Sequence, residues 1–316
     1  MKTTTKFIVL HPSVHKSGGG GGGATPASSH RAWLAVFVLF FLFTFAFTLL
    51  TSRDANAAAK SATTAAGKSK SQLPKPIHDA LLHYATAGNP NSTSGRFSSA
   101  EIKKFAAVIR RCAVPCNLLV FGISHETLLW NALNHNGGGR TVFVDESNYL
   151  ISKLEERHPS IEAYDIQFTT KVSELYDLIE YYKREISADC RPVQNLLFSD
   201  CKLAVNDLPN HIYDVAWDVI LVDGPRGYFA AAPGRMMAIY SAGVLARSKR
   251  GGAVETHVFV HEFEREAERV CAYEFLCKEN LVDQKDSLAH FVIGKMEANS
   301  DNFRFGVCSS DSPQSI

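Results

Sequence analysis

The amino-acid sequence predicts an α/β fold, because three short apolar runs are separated by stretches with helical periodicity. The runs cover 117–124, 140–146 and 217–225, and each ends in a polar or glycine-containing turn. Continuous apolar runs of this length, without alternation, are typical of parallel strands that are covered on both faces. Strands that alternate with helices indicate repeated βαβ units, and hence a parallel sheet.

The other elements follow in chain order from hydrophobic periodicity and from turn signals. Helices are predicted over 77–84, 98–111, 125–134, 149–157, 172–186, 235–248 and 263–271. Further strands are predicted over 256–260 and 288–296, with an alternating segment at 161–168 and a short segment of unclear type at 196–198. The pattern amounts to about six or seven strands with helices between them.

In an open α/β sheet the ligand lies beyond the carboxyl ends of the strands. The residues of the apolar runs that are expected on this rim are Gly122, Ser124, Asp145, Glu146, Asp223 and Gly224. A glycine after the first strand lets a ligand approach the backbone closely. An acid after the second strand can accept hydrogen bonds from both hydroxyls of a ribose. This is the layout of a nucleoside-binding, Rossmann-like domain.

The residues predicted to contact a cofactor are also compatible with purely structural roles. Gly122 is compatible with a tight strand-to-helix turn that contacts no cofactor. Asp145 and Glu146 are compatible with a cap or a first-turn acid of the next helix. The sequence does not choose between these two acids for the ribose.

A membrane anchor is predicted at residues 32–50, which carry no charge and are apolar apart from two threonines. About 20 such residues span a bilayer, and this short length suits a thin early-secretory or Golgi membrane. A cleaved signal peptide is the alternative, but the stretch is too long for its apolar region. The predicted order is a flexible tail (1–31), the anchor, a stem (51–75), a folded domain (76–308) and a tail (309–316). Lysines and arginines are balanced across the anchor, so charge does not fix its orientation.

Seven cysteines are present, and they fall into three local groups. The candidate disulfide pairs are Cys112 with Cys116, Cys190 with Cys201, and Cys271 with Cys277, leaving Cys308 over. Sequence alone gives no connectivity, and zinc binding is disfavoured because no CxxC pair occurs. With a glycosylation sequon at Asn91, the cysteines and the anchor favour a lumenal domain and a cytosolic amino terminus. The formal net charge is +1 and no basic stripe stands out, so nucleic-acid binding is disfavoured.

Four stretches, 118–130, 191–203, 218–227 and 257–261, resemble the plant irregular xylem proteins of the domain-of-unknown-function 579 family, and within it the irregular xylem 15-like type. The resemblance covers nearly the whole lumenal part and the anchor. It implies a Golgi, single-pass type II membrane protein of xylan biosynthesis in secondary cell walls, with a class I methyltransferase-type sheet. Xylan or glucuronoxylan, the Golgi membrane and other xylan-biosynthesis proteins are the implied partners.

The same family includes methyltransferases that transfer a methyl group from S-adenosylmethionine to O-4 of glucuronic acid on xylan. By resemblance, 122–126 would be the cofactor loop, although it keeps one glycine of the usual Gly-x-Gly-x-Gly. Members of the irregular xylem 15-like type have no settled reaction.

Asp223 is the leading catalytic candidate, because it ends an apolar strand and precedes the turn 224–227. Its carboxylate could act as general base on a sugar hydroxyl or bind a divalent metal, or it could only stabilise the turn. Arg226 could pair with the carboxylate of an acidic sugar, or be an ordinary surface arginine. His261, followed by Glu262, could relay a proton or bind metal, or be a structural histidine.

Three functions are compatible with these residues. The first is a sugar O-methyltransferase that uses S-adenosylmethionine, supported by the acids at the strand ends and by the resemblance. The second is a non-catalytic accessory or scaffold of the xylan-synthesising machinery, favoured by the reduced glycine pattern. The third, a metal-dependent nucleotide-sugar glycosyltransferase, is disfavoured because no Asp-x-Asp occurs in the sequence.

Overall fold

The computed structural model describes residues 38–45, 73–87, 95–135, 138–296 and 308. The chain divides into two units, Met1–Lys68 and Ser69–Ile316. In the first unit, residues 38–45 are helical. None of the helices within the described ranges has the length and apolar character needed to cross a bilayer. Most of the predicted anchor at 32–50 lies outside these ranges, as do both predicted tails, nearly all of the stem and Asn91.

The second unit is built on a mixed sheet of seven strands in the order β3-β2-β1-β4-β5-β7-β6. Strands β1 to β5 pair in parallel, whereas β7 is antiparallel to both β5 and β6. The strands are β1 (Leu118–Phe121), β2 (Thr141–Asp145), β3 (Glu162–Asp165), β4 (Val219–Val222), β5 (Glu255–Val260), β6 (Leu281–Lys285) and β7 (Leu288–Gly294). The α/β fold and the parallel strands at the three apolar runs are therefore confirmed.

Helices cover both faces of this sheet. They are α1 (Lys75–Ala87), α2 (Ser99–Arg111), α3 (Thr127–Asn134), α4 (Asn148–Arg157), α5 (Leu175–Glu185), α6 (Asn210–Tyr213), α7 (Met236–Ser248) and α8 (Glu266–Ala272). Short 3-10 turns occupy Val172–Glu174, Leu196–Phe198 and Lys278–Asn280, and a π-helical turn, Tyr273–Cys277, extends α8.

The continuous apolar runs are explained by two hydrophobic cores, one on each face of the sheet. Along β1, Leu119 and Phe121 belong to the core under α5 and α7, whereas Leu118 and Val120 belong to the core under α2 and α3. Successive side chains of a strand point to opposite faces, so a strand buried on both sides needs apolar residues throughout.

Strand β6 was not predicted, because most of its residues are exposed and three of the five are polar. It is an edge strand that joins β7 through a tight turn, in which Asp286 has a φ of 50°. The predicted helix at 263–271 begins at Glu266 instead, after a turn that includes Glu262 with a φ of 56°.

Three disulfides are present in the described part of the chain, and one candidate pair was wrong. Cys112 bonds Cys116 and Cys190 bonds Cys201 as grouped from the sequence, but Cys277 bonds Cys308. Cys271 is a buried free thiol. Cys271 and Cys277 lie on one continuous helical stretch, where six residues rise about 9 Å, too far for a disulfide.

Candidate active site

The turns after β1 and β4 touch backbone to backbone. Gly122 has a φ of 105°, and a Cβ there would lie 2.7 Å from the carbonyl carbon of Asp223 and from the nitrogen of Gly224. A Cβ on Gly224 would in turn lie 2.6 Å from Cα of Gly122. Only glycines permit this approach, which holds Asp223 beside the loop that follows β1. The close packing of the two turns is by itself a sufficient reason for a glycine at position 122, with no ligand required.

Asp223 and His261 form a buried pair at the carboxyl ends of β4 and β5. Val222 and Val260 are partners in the parallel register, so the residues that follow them are neighbours. Oδ1 of Asp223 lies 2.7 Å from Nδ1 of His261, and the two side chains are 6% and 2% exposed. The ring of His261 stacks on Phe97, with centroids 3.9 Å apart.

The environment of His261 favours its protonated form. Burial alone would lower its pKa, but the hydrogen bond and the negative charge of Asp223 outweigh burial, and the pKa is raised. With an ionised Asp223, Nδ1 of His261 is the donor of this bond. Because the imidazole is almost fully enclosed, His261 holds Asp223 in place from behind the rim.

Arg235 ties together the turns that carry this pair. Its buried guanidinium donates to the carbonyl oxygens of His261 (2.6 Å), Pro225 (2.9 Å) and Asp223 (3.1 Å). It also donates to Oε2 of Glu262 at 2.7 Å. Buried carbonyls and carboxylates need such partners, so one arginine fixes the ends of both strands. This role is not predictable from the sequence, in which Arg235 is only the first residue of a predicted helix.

Two further acids approach the Asp223–His261 pair from the helical layer. Oε2 of Glu101 lies 3.8 Å from Nε2 of His261, and Glu101 also caps α2 together with Ser98. Glu126 is buried in the turn before α3, and its Oε2 has no hydrogen-bond partner in the described part of the chain. Burial and then the charge of Asp223 raise the pKa of Glu126. The sequence prediction includes Glu126 only as the last residue of the loop 122–126 and does not include Glu101 among the site residues.

The acids after β2 occupy distinct positions. Asp145 is buried, and its carboxylate accepts backbone hydrogen bonds from Ile123 (2.7 Å) and Ser147 (2.8 Å). Burial raises the pKa of Asp145 to about 6, with a smaller contribution from the charge of Glu146. Ser147, not either acid, caps α4 through Leu150. Glu146 is half-buried, and its Oε2 has no partner among the described residues.

The remaining predicted residues lie on the same rim. Ser124 shapes the loop after β1, because its N–H donates to Oγ1 of Thr127 (3.0 Å) and its Oγ accepts from Glu126 (3.4 Å). Arg226 is exposed, and its positive charge partly offsets the rise in the pKa of Asp145. Arg226 therefore lies on the β2 side of the rim. The structure therefore brings the predicted catalytic and cofactor residues to one edge of the sheet.

A divalent metal at Asp223 receives no geometric support from the described residues. The groups of three potential ligands found in them involve Cys112 and Cys116, or Cys277 and Cys308, which are bonded in disulfides.

The fold and this rim define a Rossmann-like α/β domain with a buried carboxylate–histidine pair beyond the ends of its parallel strands. A family model described as IRX15/IRX15L/GXM matches residues 100–291, and the chain belongs to this family. Protein IRREGULAR XYLEM 15 of Arabidopsis thaliana is 51% identical over 95% of this chain and 94% of its own length. Protein IRX15-LIKE of the same plant is 51% identical over 95% and 93%.

The chain is also similar to a protein whose name describes it as a methyltransferase. Glucuronoxylan 4-O-methyltransferase 1 of Arabidopsis thaliana is 37% identical over 81% of this chain and 86% of its own length. The resemblance to the irregular xylem family seen in the sequence is thereby confirmed.

Proposed function

We propose that this protein acts in xylan biosynthesis as an O-methyltransferase that uses S-adenosylmethionine and acts on glucuronoxylan. The observation that carries the proposal is the buried Asp223–His261 pair at the rim where an α/β domain binds its ligands. The sheet order supports it, because an antiparallel β7 between β5 and β6 is the arrangement of class I methyltransferases. The similarity to a glucuronoxylan methyltransferase supports the acceptor.

The rim after β2 suits a nucleoside cofactor. Oε2 of Glu146 is a buried acceptor without a partner among the described residues, at the strand end where a ribose binds in such folds. Each carboxylate oxygen of Asp145 already accepts a backbone hydrogen bond, so this side chain mainly orders the loops after β1 and β2. Glu146 is thus the better candidate for the ribose hydroxyls. When bound, S-adenosylmethionine would supply an electrophilic methyl group.

The rim after β4 suits proton removal from a hydroxyl. His261 occupies Oδ1 of Asp223, and no hydrogen bond among the described residues occupies Oδ2. We assign Oδ2 of Asp223 as the general base that accepts the proton of the acceptor hydroxyl. His261 is a positioning residue, since it is enclosed behind Asp223. Arg226, exposed beside the rim, is assigned to the carboxylate of glucuronic acid.

Two measurements on the full-length protein test this function. Calorimetric titration with S-adenosylhomocysteine should show binding that Glu146→Gln weakens, whereas Glu156→Gln, an exposed acid on α4, leaves it unchanged. Methyl transfer to glucuronoxylan should fall about 10²–10⁴-fold in Asp223→Asn, with cofactor binding retained. A folded protein that binds neither cofactor nor product would refute the methyltransferase.

The second candidate is a non-catalytic accessory or scaffold of the xylan-synthesising machinery. It is favoured by one observation: the glycine that remains in the cofactor loop, Gly122, is explained by its contact with Gly224. Under this function, Asp223→Asn would still restore xylan in plants that lack the protein, at a normal protein level. Under the first function, the same variant would fail.

The compartment belongs to the same proposal. We infer a single-pass type II protein of the Golgi membrane, anchored by 32–50, with the catalytic domain in the lumen and a glycan on Asn91. Three disulfides support an oxidising compartment. Protease protection of an amino-terminal tag in intact vesicles would contradict this topology, because the tag should be accessible from the cytosol.

A further inference from the structure

A large cavity lies at the opposite end of the sheet from the candidate active site. Its volume is about 540 Å³. Lys249 marks its position, because Nζ donates to the carbonyl oxygens of Trp217 (3.3 Å) and Glu255 (2.7 Å), at the amino ends of β4 and β5. Lys295, after β7, donates its N–H to the carbonyl oxygen of Val254. This space is called the basic cavity below.

The basic cavity has a strong local excess of positive charge. Its charged lining residues are Arg191, Lys249, Arg250, Lys295 and Asp214. None of the four cations forms an ion pair with the described residues, although the chain as a whole is nearly neutral. The ammonium of Lys249 is already bonded to two backbone carbonyls, so Arg191, Arg250 and Lys295 are the cations available to a ligand. Three exposed cations around one concave space indicate an anionic ligand.

One wall of the basic cavity is a rigid loop. The disulfide between Cys190 and Cys201 closes this loop at its base. Inside it, Gln194 donates from Nε2 to the hydroxyl of Tyr240 at 2.8 Å, and its N–H donates to Oγ of Ser248 at 3.0 Å. These bonds join the loop to α7, so the cavity is preformed, as binding sites usually are.

The uncharged lining suits a carbohydrate. Phe198, on the rigid loop, is 78% exposed at the cavity, although large aromatic side chains are usually buried. An exposed aromatic face beside the exposed amide of Asn195 offers a stacking surface and a hydrogen-bonding group to a sugar ring. Arginine pairs well with a planar carboxylate, as on a uronic acid.

We propose that the basic cavity binds an acidic oligosaccharide segment, with uronic acid carboxylates on Arg250 and Lys295 and a sugar ring on Phe198. The choice of a uronic acid rests on the proposed function, whereas the preference for an anionic sugar rests on the cavity itself. The site lies apart from Asp223, so it would hold the polymer and take no part in the reaction.

The test is calorimetric or affinity-electrophoretic binding of the full-length protein to glucuronoxylan oligosaccharides and to neutral xylan oligosaccharides, without cofactor. The variant is Arg250→Glu with Lys295→Glu. The matched control is Lys103→Glu with Lys278→Glu, two exposed lysines elsewhere that change the net charge by the same amount. A single variant, Phe198→Ala, tests the stacking surface.

We expect the acidic oligosaccharide to bind more tightly than the neutral one. The cavity double variant should weaken this binding about tenfold and the matched control should not. Phe198→Ala should weaken the acidic and the neutral oligosaccharide alike, because stacking is independent of charge. The proposal would be overturned by an equal loss of binding in both double variants, or by equal binding of the two sugars to the unmodified protein. It would also be overturned if nucleic acid bound more tightly than the sugars and only the cavity variant abolished that binding.

The same experiment separates this proposal from the proposed function. Cavity-dependent binding of the acidic sugar by a protein that transfers no methyl group would uphold the cavity and refute the methyltransferase. Active methyl transfer with no effect of the cavity variant on polymer binding would uphold the methyltransferase and refute the cavity.

Discussion

Replacing Gly122 by alanine tests whether the contact between the β1 and β4 turns organises the rim. Two costs are expected. A φ of 105° is strained for alanine, at about 1–3 kcal/mol, and a Cβ at 2.7 Å from two backbone atoms must displace the β4 turn, at about 1–3 kcal/mol more. Gly251 is the matched control, because its φ is 79° and a Cβ there would meet nothing within 4 Å. Gly251→Ala therefore carries the conformational cost alone.

The assay is thermal or denaturant unfolding of the two variants beside the unmodified protein. Both substitutions restrict the unfolded chain equally, so that gain cancels in the comparison. Gly122→Ala should be less stable than Gly251→Ala by about 1–3 kcal/mol, which corresponds to about 2–12 °C in the midpoint for a domain of this size. Equal midpoints in the two variants would refute the close contact between the turns.

Two further predictions concern charge and burial. Burial and then the neighbouring charge of His257 lower the pKa of His290 to about 3, so the unfolded chain binds the proton first. Stability from this group is complete well above pH 6.5 and falls as the pH drops toward 3. Between pH 8 and 5 the loss is about 2 kcal/mol, which denaturant titrations should show and His290→Gln should remove. Arg235→Met leaves Glu262 with one fewer cationic partner in a buried site and should cost about 3–5 kcal/mol in the same titrations, whereas Arg226→Met, at an exposed position, should stay within about 0.5 kcal/mol. A stable Arg235→Met protein would contradict the role of this guanidinium in holding the strand ends.

The three central strands were predictable because burial on both faces demands apolar residues at every position. Strand β6 was not, because it pairs along one edge only and its side chains are mostly exposed. An edge strand is specified by its partner β7 and by the turn between them, and neither requires an apolar run in the edge strand itself.

The candidate site was predictable to the same extent. Asp223 and His261 end strands, and parallel strands bring their carboxyl ends to one edge. Glu101 and Glu126 reach the pair from a helix and a turn, and such contacts depend on packing between distant segments. Glu101 also forms the capping box of α2, and this local role explains the residue without its contact near His261.

The distribution of charge links the two proposed sites. Near Asp223 the acids Glu101, Glu126 and Glu262 are buried, and one buried arginine, Arg235, lies between Asp223 and Glu262. An acid-rich rim favours a cationic sulfonium, and Arg226 is an exposed cation there that can offset the repulsion of a uronic acid. A single exposed arginine is a weak site for an anionic polymer, and the basic cavity offers a second site about 20 Å away, the length of a six-residue strand such as β5. A polymer can reach both places and a single sugar cannot, so affinity should rise steeply with oligosaccharide length. A flat dependence on length would separate the cavity from the reaction.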